Sequence, residues 1–78
     1  MFKKSDVPTG TIFEYVSFWD HNVLFLMERI AGNDEWFNSD YICGHQILCS
    51  DPYRVKQNMD VCILSCVTKI LHIPNVHK

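Results

Sequence analysis

Apolar and polar residues alternate in short runs along most of this chain, and turn-forming residues separate the runs. A period of two in such runs predicts strands. The first run, residues 11–19, is rich in β-branched and aromatic side chains. Its two faces are Ile12/Glu14/Val16/Phe18 and Phe13/Tyr15/Ser17/Trp19, the second more aromatic. Both carry large apolar groups, as in a strand covered on both sides. Pro8 and Gly10 flank Thr9 just ahead of it and predict the turn that opens the strand. Asp20, His21 and Asn22 form the next turn signal. Residues 23–30 then admit two readings. As a strand, Val23, Phe25, Met27 and Arg29 alternate with Leu24, Leu26, Glu28 and Ile30. As a helix at about 21–31, Asp20 would cap its start and Gly32 would end it. So short a helix is marginal, whereas an antiparallel partner of the first strand needs only a short polar loop, and the strand is preferred.

Residues 31–35 hold Gly32 and Asn33, both tolerant of the positive φ that tight hairpins require. Trp36 and Phe37 follow in an irregular stretch to Asp40. Residues 41–49 read as a third strand, with Gly44 marking a bulge or bend in its interior. A polar loop over 50–58 contains Pro52. Residues 60–73 are dense in Val, Ile, Cys and Thr and predict two strands, or one strand bent near Ser65. Pro74 ends it, and 75–78 is expected to fray. The pattern predicts one mainly β domain over residues 1–78. It would be a small SH3-like barrel or a strongly bent antiparallel sheet of four to five strands. The alternative is an α+β domain with the helix at about 21–31.

Composition narrows the function classes. The chain has 78 residues, 47% hydrophobic and 13% aromatic. That is one domain's length, too apolar for disorder and too short for an enzyme of two subdomains. The longest unbroken apolar run is residues 23–27, far below the roughly 18–20 residues of a membrane span. Lys3 and Lys4 give a basic start, but the polar residues 5–10 follow where a signal peptide has its apolar core. The expectation is a cytoplasmic protein without membrane attachment. Net charge is −2, unevenly spread. Residues 11–51 hold seven acids against Arg29 alone, a net of −6. A net-acidic chain makes a poor nucleic-acid binder, because phosphate contacts need clustered lysine and arginine.

The candidate chemistry is sparse. Cys43, His45 and Cys49 are joined by Cys62 and Cys66 as possible zinc ligands. Positions 43, 45, 47 and 49 of a regular strand share a face. No CxxC knuckle is present, and ligands two apart on a strand suit a tetrahedral site less well. Buried reduced thiols are therefore preferred, with no metal and no cofactor. Gly10, Gly32 and Gly44 are too scattered to cradle a phosphate, and no nucleophile elbow or HExxH is present. A non-enzymatic protein is expected. Binding surfaces offer more. Trp19, Trp36, Phe37 and Tyr53 sit at or near predicted loops, and such aromatics anchor many interfaces. Trp36 and Phe37, with Asp34 and Glu35 before them and Asp40 after, form an aromatic centre with an acidic rim. With Trp19, these are the candidate partner-binding residues, suited to a protein with a basic groove.

Residues 5–15 carry Asp6, Val7, Pro8, Gly10, Phe13 and Tyr15 in a D-[hydrophobic]-P-x-G-x-x-F-x-[YF] pattern. This segment resembles the start of small uncharacterised phage accessory proteins that lead into a short β-barrel. The resemblance implies a protein of the host cytosol that inhibits or sequesters a host factor, and it carries no functional residues over. The leading expectation is an interaction protein that binds and blocks a host protein. The alternatives are an oligomeric small-molecule binder, or sponge, for a nucleotide-like ligand, and a zinc-stabilised structural module. A tight homo-oligomer would shift the reading from host-protein inhibitor toward ligand binder or assembly component.

Overall fold

The computed structural model describes residues 2–18, 20–31, 40–53 and 60–74. Five strands form one antiparallel sheet: β1 (Ile12–Val16), β2 (Leu24–Arg29), β3 (Tyr41–Cys49), β4 (Asp60–Ile63) and β5 (Val67–His72). Their order is β4-β3-β2-β1-β5, and the sheet curls into a half-barrel. The last two strands are the sheet's two edges, yet they are consecutive in the chain. A single 3-10 turn, Leu64–Cys66, joins them. The bend expected near Ser65 is this turn, and it carries the chain from one edge of the curl to the other. The fold is the mainly β, strongly bent antiparallel sheet of five strands that the alternation predicts.

The helix at about 21–31 is not formed. Leu24–Arg29 is a strand that pairs with β1 from Val16↔Leu24 to Ile12↔Glu28. Alternation decides the matter: Val23, Phe25, Met27 and Arg29 all turn inward and are buried. A helix would scatter those four around its circumference. Asp20 caps a turn instead. Its side chain accepts the Asn22 N–H at 3.0 Å, and its carbonyl accepts the Val23 N–H at 2.9 Å. Ser17 Oγ accepts the Asp20 N–H at 3.2 Å, so β1 ends at Val16 rather than running on to residue 19.

The inner face is one packed core. Phe13 and Tyr15 of β1, Phe25 and Met27 of β2, Ile42 of β3 and Cys62 of β4 meet there with Leu64 and Val67. Tyr15 and Phe25 are cross-strand partners, with ring centroids 6.1 Å apart at a 50° tilt. The Tyr15 hydroxyl reaches across the curl and accepts the Ile63 N–H at 3.3 Å, linking β1 to the far edge. The chain ahead of β1 closes one end. A 3-10 turn, Lys4–Asp6, leads into Val7, which is fully buried in the core. Gly10 follows at φ +93°, a backbone conformation that L side chains rarely adopt, and its N–H reaches the Arg29 carbonyl at 2.7 Å.

Gly44 has a role other than the bulge or bend read from sequence. It faces inward, opposite Arg29, and a Cβ there would lie 3.0 Å from Met27 Cε and 3.3 Å from Cys62 Sγ. It is glycine because core side chains pass directly over its backbone. The register shift of β3 lies further on, between the pairs Met27↔Gln46 and Leu26↔Leu48. Two more shifts occur where β1 meets β5. Bulges of this kind add local twist and help a short sheet to curl.

Candidate interaction surface

The shift in β3 rearranges the candidate zinc ligands. Cys43 and His45 stay on the outer face, opposite Val61 of β4 and Glu28 of β2 respectively. Past the shift, Cys49 pairs with Phe25 and packs against the core from the inner side. Positions 43 and 49 therefore do not share a face, as an unbroken strand would require. Cys62 lies in the core opposite Ile42, and Cys66 packs against the core from the turn before β5. All four cysteines are free thiols. Among the described residues no group of three or more His, Cys, Asp or Glu gathers closely enough to hold a metal ion.

The residues expected to bind a partner, Trp19, Asp34, Glu35, Trp36 and Phe37, lie outside the described residues. Two exposed turns are described at the end of the sheet opposite the one where β2 ends and β3 begins. The 17–23 turn joins β1 to β2 and exposes Phe18, with 51% of its surface open. The chain after β3 exposes Tyr53, 91% open. Because β1 and β3 run antiparallel to β2, the end of β1, the start of β2 and the end of β3 share one end of the sheet. Short hydrogen bonds fix both segments. The Leu24 N–H donates to Ser50 Oγ at 2.9 Å, and the Ser50 N–H returns to the Leu24 carbonyl at 2.9 Å. Asp51 accepts the Tyr53 N–H at 3.0 Å, in an Asx turn.

Between these turns the outer face carries a shallow groove of about 320 Å³. Glu14, Leu24, Phe25, Leu26, Leu48, Cys49 and Ser50 line it. Leu48 is 64% open and Leu24 42% open, with Leu26 half-buried beside both. Cross-strand pairing makes these side chains contiguous: Val16 faces Leu24, and Leu26 faces Leu48. Sequence reasoning did not single out this cluster. Its signal was the run Ile47-Leu48-Cys49 at the end of β3. Three successive apolar residues break the period of two and cannot all turn inward.

The charges on this face have one sign over the three central strands. Outward positions are Ile12, Glu14 and Val16 on β1, then Leu24, Leu26 and Glu28 on β2. On β3 they are Tyr41, Cys43, His45 and Leu48, of which Cys43 is fully buried. Two carboxylates stand there, with no lysine or arginine. Arg29, the only base between residues 11 and 51, points inward and is only 7% open. Its Nη1 donates to the Val7 carbonyl at 3.4 Å. Lys69 enters from the β5 edge, opposite Glu14. The Thr68 hydroxyl lies 2.7 Å from Glu14 Oε1 and orients that carboxylate.

Among the described residues no helix is long and apolar enough to cross a membrane. Comparison with protein-family models, with curated proteins and with solved structures finds no match for this chain.

Proposed function

We propose that this chain is a non-enzymatic interaction protein of the phage accessory type, which binds a host protein with a basic groove and blocks it in the host cytosol. Trp36 and Phe37 would supply the aromatic centre, Asp34 and Glu35 the acidic rim, and Trp19 a flanking contact. One observation supports the reading above the others. The half-barrel fills its interior with its own side chains, yet leaves Phe18, Leu24, Leu48 and Tyr53 open at the end next to Trp19 in the chain, opposite the end where β2 leads into residues 30–40. Apolar groups gathered in this way serve contact with another chain more often than solvent. The acidic balance of residues 11–51 favours a basic partner.

The test is affinity capture from host lysate with cross-linking, followed by measurement of Kd on the purified pair. The double variant Trp36→Ala, Phe37→Ala is expected to weaken binding by at least about tenfold, the scale of interface hot spots. Full binding by the double variant would show that the surface is assigned wrongly. A nucleotide-dependent rise in Tm, with no protein partner captured, would replace blocking with ligand sequestration.

A further inference from the structure

Resting on that reading, we infer that the outer-face groove lined by Glu14, Leu24, Leu26 and Leu48 is a second docking surface, and that its occupant is a basic amphipathic segment of a partner protein. Two features on the same face carry this. The first is shape and exposure. Leu48 and Leu24 stand open on either side of the groove, and its volume of about 320 Å³ suits one or two large aliphatic or aromatic side chains. The second is charge. Glu14 forms part of the groove wall, Glu28 lies further along the same face of β2, and Asp20 and Asp51 sit in the two flanking segments. The fold turns Arg29 into the core, and Lys69, opposite Glu14 on β5, is the one lysine or arginine that the described strands set beside these carboxylates. The other bases are Lys3 and Lys4 ahead of β1, and Arg54, Lys56 and Lys78 after residue 52. A second copy of this chain would bring carboxylate against carboxylate over β1–β3. A segment with apolar side chains on one stripe and lysine or arginine beside it brings opposite charge to the same contacts.

The experiment uses the full chain, 15N-labelled, and two synthetic amphipathic peptides of identical spacing, one built of leucine and lysine, the other of leucine and glutamate. The leucine–lysine peptide is expected to bind, with amide shifts centred on Leu24, Leu26 and Leu48. Leu48→Gln is expected to weaken it by about tenfold, as loss of one buried leucine contact does. Leu48 is largely exposed, so the variant keeps its fold, and its spectrum reports that directly. Glu14→Gln keeps an acceptor for Thr68 and is expected to weaken binding roughly two- to fivefold at low salt, with the difference vanishing at high salt.

Equal binding of the leucine–glutamate peptide, shifts centred elsewhere, or an unchanged Kd in Leu48→Gln would each overturn the proposal. So would a dimer in sedimentation that Leu48→Gln dissolves, because the occupant would then be a second copy. The Trp36→Ala, Phe37→Ala variant separates this claim from the previous one. Loss of the host partner with peptide binding intact supports the groove. Loss of peptide binding in Leu48→Gln is likewise read without reference to Trp36.

Discussion

Gly44→Ala tests whether the core is packed as tightly as the geometry indicates. The added Cβ would meet Met27 Cε at 3.0 Å, Cys62 Sγ at 3.3 Å and Phe13 Cζ at 3.5 Å. These contacts differ in how readily they yield. Met27 Cε is the end of a side chain with three rotatable bonds and can swing aside. Phe13 at 3.5 Å is in ordinary contact. Cys62 has one torsion, is fully buried, and must shift by a few tenths of an ångström. Overpacking of this kind costs about 1–3 kcal/mol. Replacing glycine lowers the entropy of the unfolded chain and returns about 0.4–1 kcal/mol. The net expectation is a loss of roughly 0.5–2 kcal/mol, or about 4–8 °C in Tm for each kcal/mol in a domain of this size. Urea unfolding in reducing buffer measures it. Cys62→Ala removes the least yielding contact, so the double variant should be more stable than the sum of the single losses by at least about 0.5 kcal/mol. If Gly44→Ala instead stabilises the protein, or if the two losses simply add, the crowding over Gly44 does not exist.

Three further substitutions test the hydrogen-bond assignments. Tyr15→Phe should cost about 0.5–1.5 kcal/mol in urea unfolding, because the Ile63 N–H loses the acceptor that reaches it across the curl. Ser50→Ala should cost a similar amount and speed hydrogen exchange at the Leu24 amide above that of its β2 neighbours, since Ser50 Oγ is the acceptor for that N–H. Thr11→Val should raise stability by up to about 1 kcal/mol, because Thr11 Oγ1 is fully buried and has no hydrogen-bond partner among the described residues. A fall in stability there would mean that the hydroxyl has a hydrogen-bond partner in the folded protein.

The sequence carried the elements well and the faces less completely. β3 runs over the same nine residues that its β-branched and aromatic content marks, and the bend near Ser65 is a real 3-10 turn. The strand between 23 and 30 was preferred only on length, because 23–27 is an unbroken apolar run and Leu, Met, Glu and Arg are good helix formers. Tertiary burial of one face outweighed that local preference. The register shift after Gln46 was harder to place, because a bulge is settled jointly by two strands, and the curl of β2 is not visible in residues 46–48. That shift moves Cys49 to the inner side and leaves Leu48 open, so it bears on both the zinc candidates and the groove. Gly44 was read as a backbone device because an isolated glycine in a strand commonly is one. Its true constraint, side chains crossing above it, is a property of the assembled core.

The sign of the outer face follows from register, and register follows from the short turn between β1 and β2. Sliding β2 by one residue would exchange its two faces. Arg29 would come out onto the face that carries Glu14, while Leu24, Leu26 and the Glu28 carboxylate would go in. Burying Glu28 without a partner would be costly, and the groove would lose two of its leucines. Ser17 and Asp20 prevent this slide. The Ser17 N–H bonds the Val23 carbonyl at 3.0 Å, and the Ser17 and Asp20 side chains hold the intervening turn at a fixed length. At the other end of the pair, the Gly10 N–H and the Arg29 carbonyl meet at 2.7 Å, and the Arg29 N–H meets the Thr11 carbonyl at 2.8 Å. The polar turn residues and the glycine therefore do more than connect strands. By fixing which residues of β2 face outward, they give the exposed leucines a setting of carboxylates, which is the setting that the proposed basic segment would meet.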